Sequence, residues 1–169
     1  EGKHVKFETP TGFPMVQRYT HWDVRKVKIA LYDRVAGVRN RVQISLRSRS
    51  AHSKVDKKKS KSAVAPNLIH AMDSSHLVKT ILKSKREGVA SFFCIHDSFG
   101  TTPAETGVMY ESVRETFVAM YDGYCLYDTF LKQAKKQLSQ EGLEKLDVTV
   151  PPKGNLNLQD VIESEYCFS

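Results

Sequence analysis

Two stretches of alternating apolar and polar residues, Val24 to Tyr32 and Asn40 to Arg49, flank a short break, Asp33 to Arg39, that carries Gly37. A period of two belongs to a β-strand, so two such runs across a glycine-bearing turn predict an antiparallel β-ribbon. On the first run Val27, Ile29 and Leu31 fall on one face while Lys26 and Lys28 fall on the other. On the second, Val42, Ile44 and Leu46 oppose Arg41, Gln43, Ser45 and Arg47. The expectation is a ribbon with one side packed on the protein and the other carrying cations and amides. A two-stranded ribbon fits the DNA major groove, where Arg or Lys pairs with guanine and Gln with adenine. The same charges on an exposed hairpin also discourage strand-to-strand aggregation, and the pattern alone leaves both readings open.

Charge supports a polyanion contact on this part of the chain. The net charge of +7 is unevenly placed: 16 Lys and Arg face 5 Asp and Glu up to Lys61, and 10 face 14 after it. A basic first third joined to a mildly acidic remainder places such a contact on the first third only. Ser48 to Ser62, ending in Lys57-Lys58-Lys59-Ser60-Lys61, reads as a mobile loop with solvated lysines. With 40% hydrophobic and 27% charged residues, the 169-residue chain has an ordinary globular composition. No apolar run approaches the roughly 20 residues that a membrane span needs, and no secretory signal opens the chain. Cys94, Cys125 and Cys167 are odd in number and far apart, which suggests neither a disulfide framework nor a zinc site and points to a reducing compartment. Glu1 in place of an initiator methionine suggests a piece of something longer.

A second constraint is Ala90-Ser91-Phe92-Phe93-Cys94-Ile95-His96-Asp97-Ser98-Phe99-Gly100-Thr101. Phe92 to Ile95 are aromatic and apolar but too few for a buried helix, while Asp97, Ser98 and Gly100 are residue types that close a tight turn. The stretch reads as a β-hairpin with Asp97 at its tip, the carboxylate facing a cleft. On residue type alone, Asp97 and Ser98 are turn formers.

Around this hairpin the chain reads as helical. Asp73 or Ser74 is a candidate cap for a helix through Val78, Ile81 and Leu82 to Gly88. Pro103-Ala104-Glu105 opens another with Val108, Met109, Val113, Phe117, Val118 and Tyr121 inward and Glu111, Arg114 and Glu115 outward. Leu126 to Leu138 is a third, and Gly142 and Pro151-Pro152-Lys153-Gly154 end the helical region. The fold class is therefore α+β. His70 and His76 stand six residues apart, which matches no common zinc spacing.

Several of these strings resemble one family. His96-Asp97-Ser98-Phe99-Gly100-Thr101 resembles the third palm motif of the single-subunit, bacteriophage-type RNA polymerases, whose aspartate binds catalytic magnesium. Family A DNA polymerases are less similar, because a glutamate follows their aspartate where Ser98 stands here. Thr9-Pro10-Thr11-Gly12-Phe13-Pro14, followed by Gln17 and Tyr19, resembles a segment just after the phage-type fingers motif. Pro66-Asn67-x-x-His70 and Asp73-x-Ser75-His76-Leu77 resemble a motif whose first histidine lies near the sugar of the active-site nucleotide pair. By position the ribbon corresponds to the family's promoter-reading specificity hairpin. The segment from Lys153-Gly154 to Ser169 resembles the family's C-terminal foot.

The resemblance implies part of a right-hand polymerase. Residues 1–19 would connect fingers and palm, 20–62 would form the basic ribbon and Lys-rich loop, 63–150 the palm hairpin with its helices, and 151–169 the foot. It implies Asp97 as the catalytic residue and metal ligand, and His70 and His96 as substrate-positioning groups. Lys26, Lys28, Arg41, Gln43 and Arg47 become DNA contacts, and Phe168 and the carboxylate of Ser169 become foot residues that return toward the site. The cofactor would be Mg2+ in a two-metal site. A second palm aspartate and the fingers side chains that grip the nucleoside triphosphate find no match here, so the resemblance implies that another polypeptide supplies them. Partners would then be that complementary chain, promoter and template DNA, nucleoside triphosphates and the RNA product, with no membrane. The setting would be the cytoplasm of a phage-infected bacterium, or alternatively an organelle matrix. A non-catalytic DNA-binding module and a family A DNA polymerase fragment are the alternatives.

Overall fold

The computed structural model describes residues 3–48, 54–95 and 97–166. It combines helices with three separate antiparallel strand pairs, β1 (Lys6–Glu8) with β2 (Pro14–Val16), β3 (Asp23–Asp33) with β4 (Val38–Ser48), and β5 (Phe93–Ile95) with β6 (Ser98–Gly100). The helices are α1 (Lys57–Arg86), α2 (Thr106–Tyr121), α3 (Leu126–Lys135), α4 (Gln140–Glu144) and α5 (Asp160–Glu163). Among the described residues no helix is long and apolar enough to cross a membrane.

The Lys-rich segment is a correction. Lys57 to Ser62 form the first turns of α1 where a loop was expected. Asp56 caps the helix, its Oδ1 accepting from the Lys59 amide at 2.9 Å, which satisfies one of the amides a helix start leaves unpaired. The helix continues through Pro66, so the expected cap at Asp73 or Ser74 lies well inside it. It ends where expected, with Lys83, Lys85 and Arg86 in the last turn and Gly88 at φ +102, a conformation that glycine adopts without strain.

α1 and α2 run antiparallel, and their interface is built from small polar residues. His76, Thr80 and Ser84 on α1 and Ser112 and Thr116 on α2 are all buried, as is Ser75, which faces the Thr11 hydroxyl. Each finds a partner. The Thr80 and Thr116 hydroxyls lie 2.8 Å apart, Thr116 donates to the Ser112 carbonyl at 2.6 Å, and Ser75 donates to the Ala71 carbonyl at 2.8 Å. Short side chains let the helices approach closely while hydroxyls stay satisfied. Val78 and Leu82, part of the apolar pattern that suggested this helix, are 41% and 49% exposed. Val89, Met109 and Val113 form a buried cluster against which Phe92, Phe99 and Val108 pack, and this cluster seats the β5–β6 hairpin on α2.

The N-terminal strands are held by glutamines. Gln137 donates to the Lys6 carbonyl and accepts from its amide, and Gln133 does the same with Glu8, so two side chains one turn apart act as a third strand along β1. Phe7 lies edge-on to Phe130, with ring centroids 5.7 Å apart. Gly142 does not end the helical region: it lies within α4, where its amide donates to the Ser139 hydroxyl.

The ribbon differs from expectation in one respect. Neither face packs on the protein. Val27, Leu31, Val42 and Leu46 are 37–53% exposed, and only Ile29 and Ile44 are half-buried. The apolar residues cover one another across the strands, and two strands alone cannot bury a face.

Candidate functional site: a carboxylate-tipped hairpin and a basic ribbon

In the short hairpin Ile95 pairs with Ser98, leaving a two-residue loop of positions 96 and 97. Asp97 is therefore at the tip, and it is exposed. Ser98 and Gly100 belong to β6 and not to the turn, because they pair with Ile95 and Phe93. A Cβ at Gly100 would lie 3.3 Å from the Phe93 carbonyl oxygen, so a side chain there would press on the opposite strand. His96 lies outside the described residues.

The hairpin's root is tied by a residue that sequence patterning did not single out. Glu105 accepts from the Ala90 amide through Oε1 at 3.2 Å and from the Thr102 hydroxyl through Oε2 at 3.0 Å. The Thr101 hydroxyl lies 2.7 Å from the Ser91 carbonyl and 2.9 Å from Glu105 Oε2, so its one proton serves either acceptor. The Ala90 amide, and then the two threonine hydroxyls, hold the Glu105 carboxyl below its ordinary pKa. Both ends of the hairpin are thus fastened to one side chain.

Asp97 borders two cavities. One, of about 470 Å³, is lined by His70, Asp73, Ser74, Leu77, Val78 and Asp97. The other, of about 360 Å³, brings Asp97 and Ser98 together with Tyr110, Arg114 and Glu165. His70 is exposed and also lines a neutral cleft of about 620 Å³ toward the Thr9–Met15 turn. The structure thus gathers Asp97 and His70, from sequence segments 27 residues apart, around one cavity, and adds Asp73. Asp73 was noticed in the sequence as a possible cap and as part of the Asp73-x-Ser75-His76-Leu77 string, without a role of its own.

The segment carrying His70 is registered by a buried hub. Asn67 donates to Gln17 Oε1 at 2.8 Å and to the Tyr19 hydroxyl at 2.9 Å. Gln17 is 2% exposed, so this amide pair is shielded from water. The hub ties the Gln and Tyr that follow Gly12-Phe13-Pro14 to the Asn that stands one turn before His70. His76, by contrast, is buried in the α1–α2 interface, where its Nε2–H donates to the Val113 carbonyl at 2.8 Å. Burial pushes its pKa below 6.5, against smaller opposing effects of that carbonyl and of Asp73.

Arg114 is a further correction. Expected to face outward, it is 4% exposed and packs its guanidinium 3.4 Å above the Tyr110 ring. The cation cannot be read as buried from α2 alone, since what covers it lies 50 residues further on.

Among the described residues no three His, Cys, Asp or Glu side chains converge to hold a metal ion. Asp97 fits a hard cation as one exposed carboxylate beside a tight turn, and completing a two-ion site takes carboxylates from elsewhere.

On the ribbon the register brings all five sequence candidates to one face. The cross-strand pairs there are Val24 with Arg47, Lys26 with Ser45, Lys28 with Gln43, Ala30 with Arg41 and Tyr32 with Arg39. Arg39 and Tyr32 therefore join Lys26, Lys28, Arg41, Gln43 and Arg47; only the pairing could reveal Arg39, which the sequence had placed in the loop. Each strand has eleven residues, a span of roughly 35 Å. At the far end Asp33 accepts from the Val35 and Ala36 amides, and Gly37 at φ +66 lets the chain reverse. At the near end Thr20 bridges Val55, with His21–Lys54 and Asp56–Tyr19 backbone bonds on either side. Phe168 and Ser169 lie outside the described residues; the segment before them, from α5 to Tyr166, meets α2.

Comparison with known proteins agrees with these features. A family model for DNA-dependent RNA polymerase matches residues 1–148. The DNA-directed RNA polymerase of Enterobacteria phage T3 is 37% identical over 166 residues, which are 98% of this chain and 18% of that protein. DNA-directed RNA polymerase 1A of Nicotiana tabacum is 30% identical over 169 residues, covering all of this chain and 97% of that protein. The mitochondrial DNA-directed RNA polymerase 1 of Arabidopsis thaliana is 33% identical over 172 residues, all of this chain and 16% of that protein. The chain thus spans less than a fifth of the phage relative's length. Motifs, folded hairpin and sequence similarity lead to one conclusion: this chain belongs to the DNA-dependent RNA polymerase family.

Proposed function

We propose that the chain is the C-terminal portion of a right-hand, phage-type RNA polymerase, in which Asp97 holds one catalytic Mg2+ position and the β3–β4 ribbon reads promoter DNA. The observation that carries this reading is the exposed Asp97 carboxylate at the tip of a two-residue hairpin, facing a cavity that His70 also lines. When bound between Asp97 and carboxylates from outside these residues, two magnesium ions would activate the RNA 3′-hydroxyl and steady the departing pyrophosphate.

The chain's own residues do the rest. The Glu105 ties and the Phe92 and Phe99 packing hold the hairpin still, so the carboxylate does not need to reorganise when substrate arrives. His70, registered by the Asn67 hub, presents its imidazole to the sugar side of a bound nucleotide. The basic ribbon face offers Lys26, Lys28, Arg41, Gln43 and Arg47 to base edges and phosphates. Exposed Val78 and Leu82 on α1 supply an apolar surface for the rest of palm and fingers. The foot would bring Phe168 and Ser169 back toward the same site. The setting follows the host of the whole enzyme, the cytoplasm of an infected bacterium or an organelle matrix.

The test is templated RNA synthesis by the complete assembly carrying Asp97→Asn. Nucleotide addition is expected to fall about a thousandfold with promoter DNA affinity unchanged, because the amide cannot replace a metal-bridging carboxylate. Substantial residual synthesis would refute the metal role. It would favour the DNA-binding module, a reading supported by a ribbon that stands independent of the hairpin. Preference for deoxynucleotides in the same assay would instead favour a DNA polymerase fragment.

A further inference from the structure

Two adjacent ridges of α2 face two different neighbours. Met109 and Val113 lie under the β5–β6 hairpin, in the cluster with Phe99. Tyr110 and Arg114, one position further round the helix, face the chain that follows α5. Arg114 Nη2 donates to the Ser164 carbonyl at 2.8 Å and to the Glu165 carbonyl at 3.1 Å. The Tyr110 hydroxyl donates to the same Glu165 carbonyl at 3.4 Å, and the Tyr110 ring lies under the guanidinium. Tyr110, Arg114 and Glu165 all line the cavity of about 360 Å³ that Asp97 borders.

Burying a guanidinium is costly unless its charge is answered. Here the answer is neutral: two backbone carbonyls and an aromatic face, with Nε left without a hydrogen-bond partner among the described residues. If the arginine served only to stabilise α2, an apolar side chain of similar volume would do as well or better. What an arginine adds is direction. Stacked on Tyr110, it is pre-oriented to seize carbonyls at one place, and those carbonyls belong to the segment that walls Asp97's cavity.

We propose that Arg114 and Tyr110 form a clasp that fixes residues 164–165 as one wall of the Asp97 cavity, making Arg114 a positioning residue for nucleotide addition. α2 acts as a common ruler: one ridge sets the hairpin, the next sets the wall, and the space between them follows. This inference rests on the polymerase reading above, and two readouts keep the two apart.

The experiment compares Arg114→Gln, Arg114→Lys and Tyr110→Phe in the complete polymerase, by amide exchange and by single-nucleotide addition kinetics. In Arg114→Gln the amides of residues 160–166 should lose protection about tenfold or more, with α1 and the rest of α2 unchanged. The same variant should lower kcat about 10- to 100-fold, with KM for the nucleotide within about twofold, the pattern of misplaced catalytic groups. Arg114→Lys keeps the cation but loses the stack and should fall between, and Tyr110→Phe keeps the stack and should show a smaller loss in both readouts. A loosened segment with unchanged kcat would overturn the clasp's role, as would unchanged exchange or loss of protection throughout α1 and α2. The exchange readout needs no activity. Residual synthesis in Asp97→Asn would therefore count against the polymerase reading alone, while an unaltered kcat in Arg114→Gln beside a dead Asp97→Asn would count against the clasp alone.

Discussion

The chain contains two β-hairpins that solve opposite problems. β3–β4 has strands of eleven residues, both faces exposed, and is secured only at its neck. β5–β6 has strands of three residues, yet Phe99 and the adjoining Phe92 pack against a buried cluster and its two ends are tied to Glu105. A three-residue pair has almost no stability of its own, so its geometry is dictated by α1 and α2. A long ribbon holds its register through its own pairs and can bend as a unit. The difference suits the tasks proposed for each: a carboxylate that must stay within a fraction of an ångström, and a surface that must conform to a duplex.

The loss expected from Asp97→Asn is the largest on this contrast. Next comes stability. Met72, 2% exposed on the buried side of α1, should cost about 2–5 kcal/mol as Met72→Ala, whereas Val27→Ala on the ribbon should cost under about 1 kcal/mol. Urea midpoints of the assembled protein check both, and equal costs would break the distinction between the buried helical body and the exposed ribbon.

Lys28→Ala and Gln43→Ala, a cross-strand pair on the basic face, should each shift discrimination at one promoter base pair by about 1–3 kcal/mol and leave elongation on a primed template unchanged. Uniform weakening on all promoters, with a shallower salt dependence, would make the ribbon a phosphate contact and not a reader.

The smallest effect is a pH dependence. His76 has its folded pKa below the ordinary 6.5, so the unfolded chain binds more protons there, and stability should fall as pH drops through 6.5 toward the folded value. His76→Gln, which keeps a donor for the Val113 carbonyl, should flatten that slope just below pH 6.5. A slope unchanged by the substitution would assign it to other groups.

The same contrast explains what the residues revealed before folding was known. The ribbon was legible to within a residue or two because alternation is a local signal, and the basic face followed from it. Its exposed apolar side was not, since the pattern says which residues share a face and not what lies against it. Asp97 at a tip was legible from turn chemistry. The start of α1 was not: three lysines in a first turn oppose the helix dipole, serines favour loops, and Pro66 normally ends a helix. The α1–α2 interface escaped because apolar stripes were sought, whereas Thr80, Ser84, Ser112 and Thr116 make the contact. Arg114, Glu105 and the Gln17–Asn67 hub depend on partners 15 to 51 residues away, beyond any window that reads local periodicity.

The neck at Thr20 and Val55 has an evolutionary consequence. Because the chain leaves and re-enters the body through two adjoining backbone positions, everything inserted between them is a removable cassette. On the proposed reading, lineages could redraw its outward side chains to suit a new start site while inheriting the Asp97 hairpin and its supports intact.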